Sequence, residues 1–179
     1  MTERPQADDQ LADQRTEPPV AGDEKATLTG FLDYHRATLL LKCAGLTPRQ
    51  LIIRSCPPSS LSLLGLVRHL SQVETGWLRA RFVGEDESDF YGPGDADFEV
   101  THADEQSVAA AFSHYTEVVS RSRAIVAGAQ LHTMTARAHP RTGEHFSLRW
   151  ILVHLVEEYA RHNGHADLLR EAIDGATGE

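Results

Sequence analysis

Several features are scarce or missing in this 179-residue sequence, and each one excludes a class of protein. It has two cysteines, Cys43 and Cys56, which are too few for a disulfide framework or a cysteine-based metal site. No stretch approaches the roughly 18 consecutive apolar residues of a membrane span, and the N-terminus has no apolar signal core. We therefore expect a cytoplasmic protein whose thiols are buried and inert.

Basic residues are also under-represented, because 17 Lys and Arg face 26 Asp and Glu and leave a formal net charge of -9. This charge repels phosphate backbones and anionic membrane surfaces, so neither nucleic acid nor a membrane is an expected partner. The hydrophobic fraction of 41% and the charged fraction of 24% are ordinary for a globular chain. One packed core is therefore expected.

The first 22 residues differ in composition from the rest, with three prolines, many charges and few apolar side chains. Such a segment cannot bury enough surface to order itself. We predict a disordered N-terminal tail over 1–22 and a single domain over 23–179.

The remaining sequence has the periodicity of four long helices and no strand pattern. The helices are expected at 23–43, 60–83, 104–127 and 148–174, with Asp23, Ser59 or Ser60, Asp104 and Ser147 as caps and Gly175 as the C-terminal glycine. Residues 84–103 are too many for a tight turn and suit a crossover, and 128–146 is interpreted as loop. The predicted fold class is an all-α four-helix bundle with a long crossover between the second and third helices.

The last helix carries one polar strip among its apolar residues. On a helix that advances about 100° per residue, Glu158 and His162 stand about 40° apart and one turn from each other. His154 and His165 fall in the same strip, which Leu155 borders, so the strip should face the core. Burying several ionisable groups together is costly unless they are paired or bind a metal ion.

His69 follows the same logic on the second helix, because it lies inside the apolar stripe that contains Leu66 and Val73. Bundles build metal sites from inward groups on facing helices, and two imidazoles with one carboxylate form a ligand set of catalytic zinc and related divalent sites. From the residues alone, a hydrogen-bonded core His69 and a helix-stabilising Glu158–His162 pair remain open as alternatives.

The segments LLGLVRHLSQVETGWL and LRWILVHLVEEYARHNGHADLLREAIDG resemble the DinB-like superfamily, close to its mycothiol-dependent maleylpyruvate isomerase branch. The resemblance covers most of residues 24–175 and implies a four-helix bundle with one divalent metal, zinc being the expected ion. Many members use three histidines, whereas this sequence has Glu158 at the first ligand position of the last helix. The ligand set that the resemblance implies is His69, Glu158 and His162.

Residues beside these positions have two interpretations each. His154 and His165 either hydrogen-bond a ligand or pack in the core, and Trp77 and Trp150 are interpreted as core aromatics. Three arginines flank the ligand-bearing segments and either meet an anionic substrate or are solvated or helix-pairing residues: Arg68, Arg149 and Arg161.

The leading hypothesis for function, which the resemblance implies, is a metal-dependent thiol S-transferase. A low-molecular-weight thiol such as mycothiol would be the co-substrate, beside an unknown small substrate. The alternatives are a non-catalytic, metal-stabilised stress-response or binding protein and a metal-dependent hydrolase. A homodimer is left open.

Overall fold

A computed structural model describes residues 15–86, 90–92 and 94–177. Its helices are α1 (Glu24–Cys43), α2 (Pro48–Leu51), α3 (Leu63–Glu74), a π-helical segment (Thr75–Val83), α4 (Glu105–Ala127) and α5 (Leu148–Asp174). These described ranges contain no β-strand, only an isolated bridge between Met134 and Ser147. The predicted all-α bundle is confirmed. In the same ranges no helix is long and apolar enough to cross a membrane.

Three of the four long helices begin at the predicted caps. The Asp23 carboxylate accepts from the backbone N–H of Ala26, and the Ser147 hydroxyl accepts from that of Trp150. Asp104 and Ser107 form a reciprocal capping box at the start of α4. Each cap satisfies backbone N–H groups that a helix start leaves without partners.

The second predicted helix differs from its expectation in two ways. It begins after Ser62, whose hydroxyl accepts from the Gly65 N–H, and not after Ser59 or Ser60. From Thr75 to Val83 the backbone winds as a π-helix, which a 3.6-residue periodicity does not reveal. The short α2 was also missed, because its four residues show no periodicity, although Thr47 and Gln50 form a capping box around it.

The long helices pack around one core. α1 lies mainly along α5, while α3 lies along α4 and also contacts α5. Leucines from several helices fill the centre, among them Leu32, Leu66, Leu70 and Leu155, all at most 1% exposed. This arrangement brings the His69 face of α3 opposite the polar strip of α5.

A buried polar network crosses this core. The Arg36 guanidinium donates to both oxygens of Glu74 at 2.7 and 2.6 Å, and the Tyr159 hydroxyl donates to Glu74 Oε1 at 2.7 Å. Tyr159 also lies 3.1 Å from the Tyr115 hydroxyl. Burial, followed by the Glu74 charge, raises the pKa of Tyr159 far above its ordinary value, so its hydroxyl stays protonated.

The segment before α1 contacts that helix where it is described. Arg15 donates to Thr38 at 3.1 Å and stacks over Tyr34, and a Cβ added at Gly30 would meet Pro19 Cδ at 2.6 Å. Residues 1–14 lie outside the described residues. The disordered tail over 1–22 and the boundary at residue 23 stay predictions.

Candidate metal centre

The structure brings the three predicted ligands together between α3 and α5. One ligating atom from each of His69, Glu158 and His162 lies within 4.8 Å of the others. His162 Nε2 is 3.5 Å from Glu158 Oε2, and the rings of His69 and His162 are 4.8 Å apart between centroids. The polar strip of α5 therefore faces His69, as the helical spacing indicates.

These distances and atom types fit a divalent ion. Imidazole nitrogens and carboxylate oxygens bind zinc at about 2.0–2.2 Å, so two ligands of a tetrahedral ion lie about 3.4 Å apart. The 3.5 Å separation of His162 Nε2 and Glu158 Oε2 is close to that value. The three side chains keep 11–20% of their surface exposed, so solvent or a small molecule can reach the space between them.

Asp97, which lies in the crossover, supports His69 from behind. Its Oδ2 atom is 2.8 Å from His69 Nδ1, and its Oδ1 atom accepts from the backbone N–H of Phe98. The Phe98 ring stacks on the His69 ring at 4.3 Å. A buried carboxylate at Nδ1 favours the tautomer that leaves Nε2 free for a ligand. No sequence pattern distinguishes Asp97 from the other acids of the crossover.

The surroundings of His162 keep its imidazole neutral. Burial, and after it the charges of His69, His165 and Arg161, lower the pKa of His162 to about 4, against an opposing effect of Asp97. His165 Nδ1 lies 3.3 Å from His162 Nδ1, so the ring presents Nε2 toward Glu158. A neutral imidazole has the lone pair that a metal ion requires. His165 therefore contacts a predicted ligand, which corresponds to the first of the two interpretations given for it.

A second group shares Glu158 but is more exposed. Ligating atoms of His154, Glu157 and Glu158 also lie within 4.8 Å of one another, and His154 Nε2 is 3.6 Å from Glu158 Oε1. However, Glu157 is exposed and forms an ion pair with Arg161. The group that contains His69 is the better candidate for a metal site, because it is more buried and Asp97 contacts one of its side chains.

The three flanking arginines have partners of their own. Arg149 pairs with Glu24, Arg161 pairs with Glu157, and Arg68 donates to the Ala96 carbonyl at 2.7 Å while stacking over Tyr91. They act as pairing and positioning residues in this structure.

Burial raises the pKa of Cys43 to about 12, so its thiol is inert at neutral pH.

The interpretation of both tryptophans as core residues is wrong for Trp150, which is 43% exposed. Trp150 packs against Trp77, Phe146 and His154 at centroid distances of 5.2, 4.4 and 5.1 Å. Trp77 of the π-helical segment covers Trp150 only in part. The periodicity of α5 could not show this exposure, because it depends on how another helix packs against α5. The four rings are called the aromatic cluster below.

Cleft size alone does not identify the functional site. A cleft of about 480 Å³ lies between α1 and α4, away from the three predicted ligands. Its charged groups are already engaged, since Arg123 pairs with Asp33 and Lys25 donates to the Ala127 and Ala129 carbonyls. The convergence of metal-ligating atoms is the stronger indication of chemistry.

Comparison with known proteins places the chain in a family. The family model for mycothiol-S-transferase matches residues 27–175, a range that includes the three predicted ligands and Asp97. No curated protein sequence matches the chain. Because the model covers well over half of the sequence, the chain belongs to the mycothiol-S-transferase family, which is DinB-like.

Proposed function

We propose that this protein is a metal-dependent thiol S-transferase that uses a low-molecular-weight thiol of the mycothiol type. Its divalent metal, zinc being the expected ion, would be held by His69, Glu158 and His162. The observation that carries the proposal is the convergence of these three ligands, with Asp97 behind His69. The family match supports the choice of thiol.

Each residue has a definite task in this proposal. Asp97 holds His69 in the tautomer that presents Nε2, and burial keeps His162 neutral and ready to bind. Glu158 supplies one negative charge to offset the charge of the ion. A divalent ion held by these three residues would supply Lewis-acid chemistry that lowers the pKa of a thiol and favours its thiolate form. No cysteine of the chain is needed as nucleophile.

Cobalt substitution tests the metal and the thiol together. Cobalt-loaded wild type should contain about one ion per chain, and added mycothiol should produce a thiolate-to-cobalt charge-transfer band. His162→Ala should lose both properties while circular dichroism shows intact helices. His132→Ala, at an exposed histidine, is the matched control and should behave as wild type.

Two outcomes would each contradict a different part of the proposal, the metal site or the thiol-transferase activity. If wild type binds no metal and behaves like His162→Ala, the metal site does not exist. If cobalt binds at this site but millimolar thiol leaves its spectrum unchanged, the thiol-transferase activity fails. The leading hypotheses would then be a non-catalytic, metal-stabilised protein and a metal-dependent hydrolase.

A further inference from the structure

The aromatic cluster has no task in the chemistry proposed above. Trp77 comes from the π-helical segment, Phe146 precedes α5, and Trp150 and His154 lie on its first two turns. Neighbouring rings are 4.4 to 5.4 Å apart between centroids. With Trp150 43% exposed, the cluster presents an aromatic surface to solvent. Aromatic surfaces of this kind bind planar rings by offset or edge-to-face stacking.

This surface is continuous with the candidate metal centre. The His154 ring lies 4.8 Å from Trp77 between centroids and stacks on Trp150 with an interplanar angle of 21°. On its other side, His154 Nε2 is 3.6 Å from Glu158 Oε1. A molecule bound on the two tryptophans is therefore separated from the predicted ligand Glu158 by one imidazole ring.

A cation lies over one member of the cluster, Trp77. The Arg81 guanidinium carbon is 4.7 Å from the centroid of Trp77, and no carboxylate within the described ranges pairs with Arg81. Its neighbours differ in this respect, because Arg79 pairs with Glu85 and Arg137 pairs with Asp86. A half-buried guanidinium without a carboxylate partner suits an anionic group of a ligand.

The same arginine lines a small cleft. Its volume is about 150 Å³, and its other walls come from Gly76, Ala80, Arg137, Ala138 and Pro140. A Cβ added at Gly76 would meet nothing within 4 Å, so the cleft is open at this wall. A volume on the order of 150 Å³ accommodates one benzene ring.

We propose that Arg81, Trp77 and Trp150 form a binding site for a planar aromatic molecule that carries a carboxylate. The carboxylate lies on Arg81, the ring stacks on the tryptophans, and the free edge of the ring points toward Glu158. The role of this site in binding the acceptor substrate rests on the proposed function, whereas its binding of an aromatic carboxylate does not. The acceptor class is then an aromatic carboxylate whose ring carries an electrophilic carbon bound to a halide. In the transfer, the thiolate sulfur bonds to the electrophilic carbon, the leaving halide departs with its bonding electrons, and the thiol proton goes to solvent.

Intrinsic fluorescence tests the binding site directly, because both tryptophans of the chain belong to it. The probe is p-toluate, with p-toluamide as its uncharged counterpart and cyclohexanecarboxylate as its non-planar counterpart, added to full-length protein without thiol. We expect saturable quenching by p-toluate and about tenfold weaker binding of either counterpart. Free N-acetyltryptophanamide corrects for light absorption by the probe.

Two variants separate a charge effect at the site from a general one. Arg81→Gln should weaken p-toluate binding about tenfold and leave p-toluamide unchanged, since only the carboxylate meets the guanidinium. Arg54→Gln removes the same charge from an exposed position between α2 and α3 and should bind p-toluate as wild type does. Equal p-toluate affinities in wild type and Arg81→Gln, or quenching that does not saturate, would overturn the proposal.

A kinetic measurement distinguishes failure of this site from failure of the proposed function. With mycothiol and p-(chloromethyl)benzoate, Arg81→Gln should raise KM about tenfold while kcat is retained. Saturable p-toluate binding without any turnover would support the site and count against the transferase. Turnover with a KM that Arg81→Gln leaves unchanged would support the transferase and overturn the site.

Discussion

Asp97 shapes the candidate metal centre although it is not one of the predicted ligands. Asp97 is 6% exposed, and its carboxylate accepts from the Phe98 backbone while contacting His69 Nδ1. A carboxylate in this position fixes the orientation of the histidine and makes its other nitrogen a stronger ligand. The crossover is therefore part of the site and not only a connection.

Asp97→Asn should weaken metal binding without unfolding the bundle. The loss of a carboxylate behind a ligand histidine costs about 10- to 100-fold in metal affinity. Competition with a chromophoric chelator measures the change. Asp95→Asn removes an exposed acid from the same turn and should bind metal as wild type does; equal affinities for the two variants would show that Asp97 does not support the site.

Glu74 is the residue on which the buried polar network depends. Glu74→Gln removes the buried carboxylate from Arg36 and leaves that guanidinium the half-exposed Asp33 at 2.8 Å, and the loss of one partner of a buried pair costs about 3–5 kcal/mol. Urea unfolding measures this loss in the free energy of unfolding. Glu85→Gln breaks a more exposed pair and should cost under about 1 kcal/mol. Similar losses in both variants would contradict this account.

The pKa of His162 predicts how stability depends on pH in chelator-treated protein. Its pKa falls from 6.5 to about 4 on folding, so between these values the unfolded state binds a proton that the folded state does not. Stability therefore decreases as pH falls through this window. His162→Gln should remove that share of the decrease, whereas the exposed His132→Gln should not. Parallel pH profiles for wild type and His162→Gln would show that the shift is absent.

At the scale of elements, α1 is in contact with the chain segment that precedes it. Gly30 lies within the helix, where glycine is about 1 kcal/mol less favourable than alanine. Pro19 occupies the place where a Cβ would lie, with its Cδ atom at 2.6 Å. The glycine is explained by this close approach.

Gly30→Ala should therefore have opposite effects in two backgrounds. In the full chain the new methyl group displaces Pro19, so stability is unchanged or lower. In a variant that lacks residues 1–22, the same substitution should gain about 0.5–1 kcal/mol from helix propensity. Denaturant unfolding of the four proteins measures both effects. A gain of equal size in both backgrounds would show that Pro19 does not lie against Gly30 in solution.

For the molecule as a whole, the candidate metal site joins α3 to α5 and should couple metal binding to folding. An ion at about 100 times its dissociation constant stabilises the folded state by about 2.7 kcal/mol. For a chain of this size that raises Tm by about 5–10 °C. Thermal melts with and without zinc should show this shift in wild type and in His132→Ala, and no shift in His69→Ala. A zinc-induced shift that survives His69→Ala would place the ion elsewhere.

Much of the fold could be predicted from the sequence because its determinants are local. Asp23, Asp104 and Ser147 cap helices through bonds that span three residues, and the apolar repeat indicates which face is buried. The spacing of Glu158 and His162 also indicated one polar strip that faces the core. The metal itself stays a prediction. The π-helical winding after Glu74 could not be predicted, because side-chain periodicity does not report which backbone groups bond.

What only the tertiary structure decided involves residues far apart in the chain. Asp97 reaches His69 across 28 positions, and Arg36 reaches Glu74 across 38. Tyr159 meets Glu74 across 85 positions. No local spacing encodes such pairs, since they form only when the helices pack. By itself, the sequence determined the long helices, the caps of three of them and the inward strip of possible ligands. The packing decided which acid supports His69, which charges are buried together, and that Trp150 lies at the surface beside Trp77.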